Sequence, residues 1–514
     1  MSKTIIIIGA GLAGLSAALQ AAENGCNVKL VSSLPSERAQ SVMAEGGINA
    51  ALNTKDENDS PEEHFTDTIK AACGLADPNA VWGMTQAAPE LVHWLLKLGV
   101  KFNMSGYDDV DLRNFGGQKK KRTAFAQSDT GKQIMTAMID AVRRKEASGM
   151  VERFSHHSFL TLRLCDNICC GCVIRDEYSQ ETVELPGDAV IVATGGMHGL
   201  FGNTTGSLSN TGEVTAELFR LGVPLANGEM IQYHPTTVKC GGKRMLISEA
   251  ARGEGGRLFA MKDGKQWYFM EEKYPELGNL MPRDITAREI WKVSHESEVF
   301  LDMTEISEEI ISNKLSGLAD DCMTYLHKDI RKEPVSVLPG IHYFMGGILV
   351  DEQHRTPIQN LYAAGECCAK YHGANRLGGN SLLGALYGGR VAAKSACEQA
   401  DVVDLSCATQ IDFPPASQIS EIKQLNKVMQ ETMGVVRNEN TLLNGIQTVQ
   451  ALTGNLPLLG MAVLKSALAR KESRGAHWRE DYPKSNDNDY LKTTVARFDG
   501  KQIQISFVPV PERR

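Results

Sequence analysis

The chain has 514 residues, 42% hydrophobic and 23% charged, a globular composition whose length predicts more than one domain. A net charge of −8 disfavours nucleic acid and anionic membranes as partners through bulk electrostatics, and the absence of any run of about 18 apolar residues predicts no direct membrane insertion. Twelve cysteines scattered through so long a chain fit a reducing cytoplasm better than a disulfide framework.

The first predicted element is a strand. MSKTIIIIGAG runs straight into it, so no signal peptide is expected. TIIIIGAGLAGLSAALQAAENGCNVKLVSS reads as strand, helix, strand, with Gly9, Gly11 and Gly14 in G-x-G-x-x-G spacing between the first strand and the helix. Gly9 permits the tight turn, Gly11 lets backbone approach a pyrophosphate at the helix N-terminus, and Gly14 lets the helix pack closely on the strand. The acidic ribose ligand expected after the second strand is missing. Ser32 and Ser33 stand there, which leaves NAD and FAD both open.

Further on, KKKR (119–122) reads as a solvated loop face. Cys165, Cys169, Cys170 and Cys172 cluster in LCDNICCGCVIRDEYSQETVEL. Their spacing matches no iron–sulfur or metal motif, while the alternation after Gly171 and the DEYSQE turn predict a hairpin filled by small apolar thiols. No metal is expected. AVIVATGG (189–196) and NLYAAGECC (360–368) are two more apolar strands ending in glycine. Strands returning to one sheet from so far apart are typical of an FAD-binding domain interrupted by an insertion. QISEIKQLNKVMQETMGVVRNENTLLNGI reads as amphipathic helix.

Ordered along the chain stand SVMAEGGINAAL (41–52), FGGQKKKRTAFAQSDTG (115–131), YHPTTV (233–238), SEAARGEGG (248–256), PRDI (282–285), HYFMGG (342–347), AAGECC (363–368), HGANRLGGNSL (372–382) and ESRGAHWREDYP (472–483). With these the chain resembles the flavoprotein subunits of the fumarate reductase/succinate dehydrogenase family, of which L-aspartate oxidase is a sibling, from its first residues to about Pro483. The resemblance implies an α/β fold: a Rossmann-like FAD-binding domain (1–233 and 344–410) interrupted by an α+β capping domain (234–343), then a C-terminal helical domain and tail (411–514). It also implies that FAD contacts Gly9, Ala10, Gly11, Gly14, Ser32, Gly46, Gly47, Ala193, Thr194, Gly195, Glu213, Gly365, Glu366, Ser381 and Leu382. ESRGAHWREDYP suggests no chemistry beyond a domain-docking turn.

Polar residues that a plain cap would not need lie in the insertion and just beyond it: His234, Ser248, Glu249, Arg252, Arg283, His342 and Arg376. Three arginines and two histidines against one glutamate would attract a small dianion, since arginine forks bind carboxylates bidentately. By resemblance, Arg283 delivers a proton while reduced flavin delivers a hydride, and Glu249 and Arg252 reprotonate it. His234, Ser248, His342 and Arg376 then hold and polarise two carboxylates.

Two departures from the family narrow the expectation. Gln40 stands where many members carry a histidine that tethers FAD, so FAD is expected to be non-covalent, which favours fumarate reduction over succinate oxidation. Phe115 stands where L-aspartate oxidases carry a glutamate for the substrate ammonium, and an unpaired ammonium is costly to bury. The expected activity is therefore reduction of fumarate to succinate, with L-aspartate oxidation as the alternative. A third reading is an electron-accepting subunit active only with an iron–sulfur partner. The chain lacks a CxxCH motif and a ferredoxin-like cysteine run, so electrons are expected from outside it. The expected location is cytoplasmic, peripheral to a membrane only through a partner.

Overall fold

The computed structural model describes residues 2–106, 109–402, 411, 413 and 418–514. The expected boundary near residue 410 lies outside them.

Five parallel strands form the central sheet, in the order Leu361–Ala363, Ala189–Val192, Thr4–Ile8, Asn27–Ser32, Val151–Ser155. Strands buried on both faces must be apolar throughout, and Ile5, Ile6 and Ile7 are wholly buried. AVIVATGG thus pairs with the strand that opens the chain, and NLYAAGECC adds beside AVIVATGG in the same sheet. Helix Leu12–Glu23 packs against helix Asn380–Gln399. The crossing requires a glycine, because a Cβ on Gly389 would lie 2.3 Å from the Ala13 carbonyl oxygen.

The cysteine-rich stretch is the predicted hairpin: His157–Cys165 pairs with Ile168–Asp176, which pairs with Thr182–Pro186. Cys169 and Cys172 lie inside an apolar cluster beneath the sheet. Ten cysteines are free among the described residues, and Cys165 is disulfide-bonded.

The inserted segment builds two small antiparallel sheets. One is Lys243–Leu246, Ile231–Cys240 and Leu338–Phe344; the other is Lys265–Trp267, Arg257–Lys262, Val299–Asp302 and Val335–Ser336. Their own apolar cluster, with Leu258, Ile290 and Leu301, makes this a capping unit with a separate core. Helices Glu249–Gly253 and Arg283–Val293 carry its charged residues.

The predicted amphipathic stretch near the C-terminus is two helices, Ile419–Thr432 and Glu439–Val449, the second opened by the Asn438 side chain accepting from the Thr441 N–H. A strand hairpin, Lys492–Phe498 with Ile503–Pro509, joins Leu225–Ala226 in a third sheet and adds strand to a region expected to be helical. Between them lies ESRGAHWREDYP, a buried ionic knot. Arg470 donates to Glu229 and Glu472, each at 2.8 Å, and Arg437 donates to His477 Nδ1 at 2.9 Å and to the Glu229 carbonyl at 2.8 Å. These bonds, with Ala476 N–H donating to Ala374 O and Arg474 to Cys73 O, tie the segment to Glu229 and to the FAD-binding part.

One expectation is corrected in KKKR. Lys119 and Lys121 are exposed, but Arg122 is wholly buried and ion-paired to Asp59 at 2.9 Å and Asp67 at 3.0 Å. The two carboxylates offset the cost of burying the guanidinium. Among the described residues no helix is long and apolar enough to cross a membrane.

Candidate active site

A cavity of about 890 Å³ runs from the Gly9 turn, past the Glu45–Gly47 loop, to His234, Ser248, Glu249, Arg283, His342 and Arg376 under the cap. Of the residues expected at a cofactor, only Gly14 does not line it; of those expected at a substrate or a proton, only Arg252 does not. Gly14 acts from beneath: a Cβ there would lie 1.8 Å from the Gly9 carbonyl oxygen. Gly9 itself has φ of +111° and leaves 2.3 Å between its notional Cβ and Ala193 O. Gly11 caps the first helix without a side chain; Ser41 Oγ accepts from the Leu12 N–H at 3.2 Å, and the helix start, Gly11 to Ala13, lines the cavity where a pyrophosphate would lie. Ser32 Oγ is buried with no hydrogen-bond partner among the described residues, a free group where a ribose hydroxyl would lie. Glu213 opens helix Glu213–Arg220, and burial raises its carboxyl above the usual range. Ser381 and Leu382 sit in the first turn of Asn380–Gln399, which likewise has no side-chain cap. Glu366 Oε1 accepts from the Phe344 N–H at 3.1 Å. These donors and acceptors fit FAD.

At the cap end the charged groups form one cluster. Glu249 Oε2 accepts from Arg283 Nε at 2.8 Å and from a terminal nitrogen of Arg283 at 2.6 Å. Its Oε1 accepts from Arg252 at 3.2 Å and from the Gly116 N–H at 3.2 Å. Burial alone would raise the Glu249 carboxyl, but Arg283 and Arg252 hold it below the usual range. Burial lowers Arg252. The other Arg283 terminal nitrogen donates to Gln232 Oε1 at 3.1 Å, and Gln232 Nε2 donates onward to Arg376 O at 2.8 Å and Asn375 Oδ1 at 2.9 Å. One glutamine thereby ties the proton-bearing arginine to the loop that presents Arg376. The Arg376 guanidinium lies 4.2 Å from the Tyr343 ring centre, and burial followed by Arg283 pushes it down to about 9.

Arg376 Nε and His234 Nε2 are buried without hydrogen-bond partners among the described residues. Both His234 and His342 are held well below their ordinary pKa, by burial first and Arg283 second, so both are neutral; their rings lie 5.1 Å apart. Ser248 caps helix Glu249–Gly253, its Oγ accepting from the Ala250 N–H. Phe115 is 1% exposed and packs on Gly46, where a Cβ would lie 3.0 Å from its ring. Glu254, given no role by the sequence, pairs with Lys314 at 3.1 Å.

Sequence reasoning missed Gln232 and Glu45. Gln232 adjoins YHPTTV but belongs to no quoted motif. Glu45 sits inside the quoted SVMAEGG stretch, yet only its glycines drew attention. It lines the cavity with one oxygen lacking a hydrogen-bond partner among the described residues, and burial, then Asp321, raises it to about 8, against the pull of Arg113. It is therefore a neutral acid near pH 7. In this cap-end cluster three guanidinium groups, Arg283, Arg252 and Arg376, face one carboxylate, Glu249, so positive charge is locally in excess.

Residues 4–382 match the FAD binding domain family, and residues 452–513 match the fumarate reductase flavoprotein C-terminal family. The chain is 38% identical to the succinate dehydrogenase flavoprotein subunit of Bacillus subtilis, over 100% of this chain and 98% of that protein. It is 32% identical to the 8-methylmenaquinol:fumarate reductase flavoprotein subunit of Wolinella succinogenes, over 100% and 92%. A solved structure of E. coli quinol fumarate reductase superposes with a TM-score of 0.89 at 27% identity, covering 99% of this chain and 97% of that one. Fold and site together define an FAD-dependent oxidoreductase. Within that class the chain belongs to the succinate dehydrogenase/fumarate reductase flavoprotein family, whose enzymes act on the CH–CH group of a C4 dicarboxylate.

Proposed function

We propose that the protein reduces fumarate to succinate, with Arg283 as proton donor and a division of labour between an FAD-binding part (1–233 and 344–410) and a cap (234–343). The observation that carries this reading is the buried cluster of three guanidinium groups against one carboxylate, beside neutral histidines, a local excess of positive charge that suits a dianion. Reduced FAD, when bound, supplies a hydride to one alkene carbon. Arg376, with its partnerless Nε, grips one carboxylate, and His234, Ser248 and His342 hold and polarise the dicarboxylate. Arg283 gives its proton to the other carbon. A guanidinium is a weak acid, so it serves only a strongly basic, carbanion-like centre and must be reprotonated at once. Glu249 touches Arg283 through one oxygen and Arg252 through the other, which suits a relay, and burial readies Arg252 to release a proton.

FAD is held without a covalent bond, because Gln40, which lines the cavity, cannot form a histidyl linkage. Acid precipitation of the purified protein leaves the yellow colour in the supernatant; colour in the pellet refutes the claim. Electrons arrive from an iron–sulfur partner that also accounts for any peripheral membrane association. Phe115 offers nothing to an ammonium, so L-aspartate is a poor substrate.

The direct test reduces the bound flavin anaerobically and adds fumarate, crotonate or iminoaspartate. Fumarate should reoxidise it fastest and yield succinate. Equal rates with the monocarboxylate crotonate would remove the charge argument, and turnover of L-aspartate with oxygen would replace the reading with an oxidase.

A further inference from the structure

Two consecutive threonines each face a different histidine: His198, which is wholly buried, and His342, which lines the cavity. Thr204 Oγ1 lies 3.0 Å from His198 Nδ1, and Thr205 Oγ1 lies 2.7 Å from His342 Nδ1. The turn that places them is specific, since a Cβ on Gly206 would lie 2.2 Å from His198 Cε1. Thr204 is wholly buried and already accepts from the Gly206 N–H at 3.1 Å; the acceptor within reach of its hydroxyl hydrogen is His198 Nδ1. Thr205 has two acceptors near it. Ile341 O, at 3.4 Å, already receives the Thr205 N–H at 3.0 Å, so the hydroxyl hydrogen belongs to the nearer Nδ1. A neutral imidazole that accepts at Nδ1 carries its hydrogen on Nε2. His234 lacks this device. The hydroxyl nearest its Nδ1, Thr236 Oγ1 at 3.4 Å, gives its own hydrogen to Ile247 O at 2.8 Å.

We propose that Thr204 and Thr205 are positioning residues that lock His198 and His342 as Nε2–H tautomers, so that His342 offers the substrate a donor rather than a lone pair. The lock crosses the junction between the two halves of the molecule. Thr205 precedes the inserted segment, whereas His342 lies on strand Leu338–Phe344, where the chain returns from it. The tautomer is thus set only when the cap strand lies against the Thr204–Gly206 turn. The part concerning substrate rests on the reading of His342 as a carboxylate ligand.

The test is nitrogen-15 NMR of histidine-labelled FAD-loaded protein, with His342→Gln assigning the signal and fumarate kinetics alongside. His342 should show the Nε2–H pattern. Thr205→Val should convert it to a mixture and raise the KM for fumarate about tenfold, the loss of one hydrogen bond, with a smaller change in kcat. Thr205→Ser should restore the tautomer and recover KM. An Nδ1–H pattern in the unaltered protein, or a Thr205→Val protein with unchanged pattern and KM, overturns the proposal. If His342→Gln leaves the fumarate KM unchanged, the ligand reading fails, and the NMR pattern then decides the threonine lock by itself.

Discussion

Two nitrogens of Arg283 converge on a single oxygen of Glu249, Oε2, at 2.8 and 2.6 Å. Both side chains are buried, and the opposite oxygen of the same carboxylate serves Arg252. Glu249→Gln therefore leaves two buried guanidinium groups facing each other across a neutral amide. The expected loss of stability is about 3–5 kcal/mol in urea unfolding near neutral pH, with fumarate turnover lost even where the protein still folds. The carboxyl's folded pKa is depressed, so its stabilisation is present above the ordinary value of 4.5 and fades as pH falls through the depressed one. The gap between variant and parent should narrow in acid. A constant gap at all pH values would contradict the assignment.

Much of this arrangement was legible in the residues. The glycine spacing and the apolar strands specified the parallel sheet, because a turn at φ of +111° and a doubly buried strand each demand particular residue types. Family motifs located the charged cluster. What remained hidden was long-range. Arg122 reads as one of four surface cations until Asp59 and Asp67, over fifty residues away, are seen beside it. Gln232 has no motif, and its role comes only from lying between Arg283 and the Arg376 loop. The break between the two C-terminal helices follows from Arg437 turning inward to Glu229 and His477, contacts that periodicity cannot report.

Glu45 sets a pH limit. Its folded pKa is raised to about 8 from 4.5, so its contribution to stability is full below 4.5 and is gone once pH rises through about 8. In the same interval the cavity gains one negative charge. The inhibition constant of an unreactive dicarboxylate such as malonate should weaken about tenfold between about pH 6 and about pH 9, as one added buried charge implies. Glu45→Gln should flatten that limb. A profile that keeps its slope in the variant would assign the titration to another group.

Gly14→Ala tests the cofactor end. The added methyl would lie 1.8 Å from Gly9 O, and the helix must back away from the strand. FAD affinity, measured by fluorescence quenching on reconstituted apoprotein, should drop about tenfold or more, from overpacking alone. Unchanged affinity would mean that the first turn does not hold the pyrophosphate.

The central claim is that Arg283 protonates the substrate inside a dianion-binding site. Stopped-flow reoxidation of the anaerobically reduced, FAD-loaded Arg283→Ala protein by fumarate addresses it directly, with the flavin spectrum confirming that cofactor remains bound. The rate should fall by about 10²–10⁴ relative to the unaltered protein, the range for losing a positioned proton donor. Reoxidation at the original rate, with FAD fully bound, would contradict it.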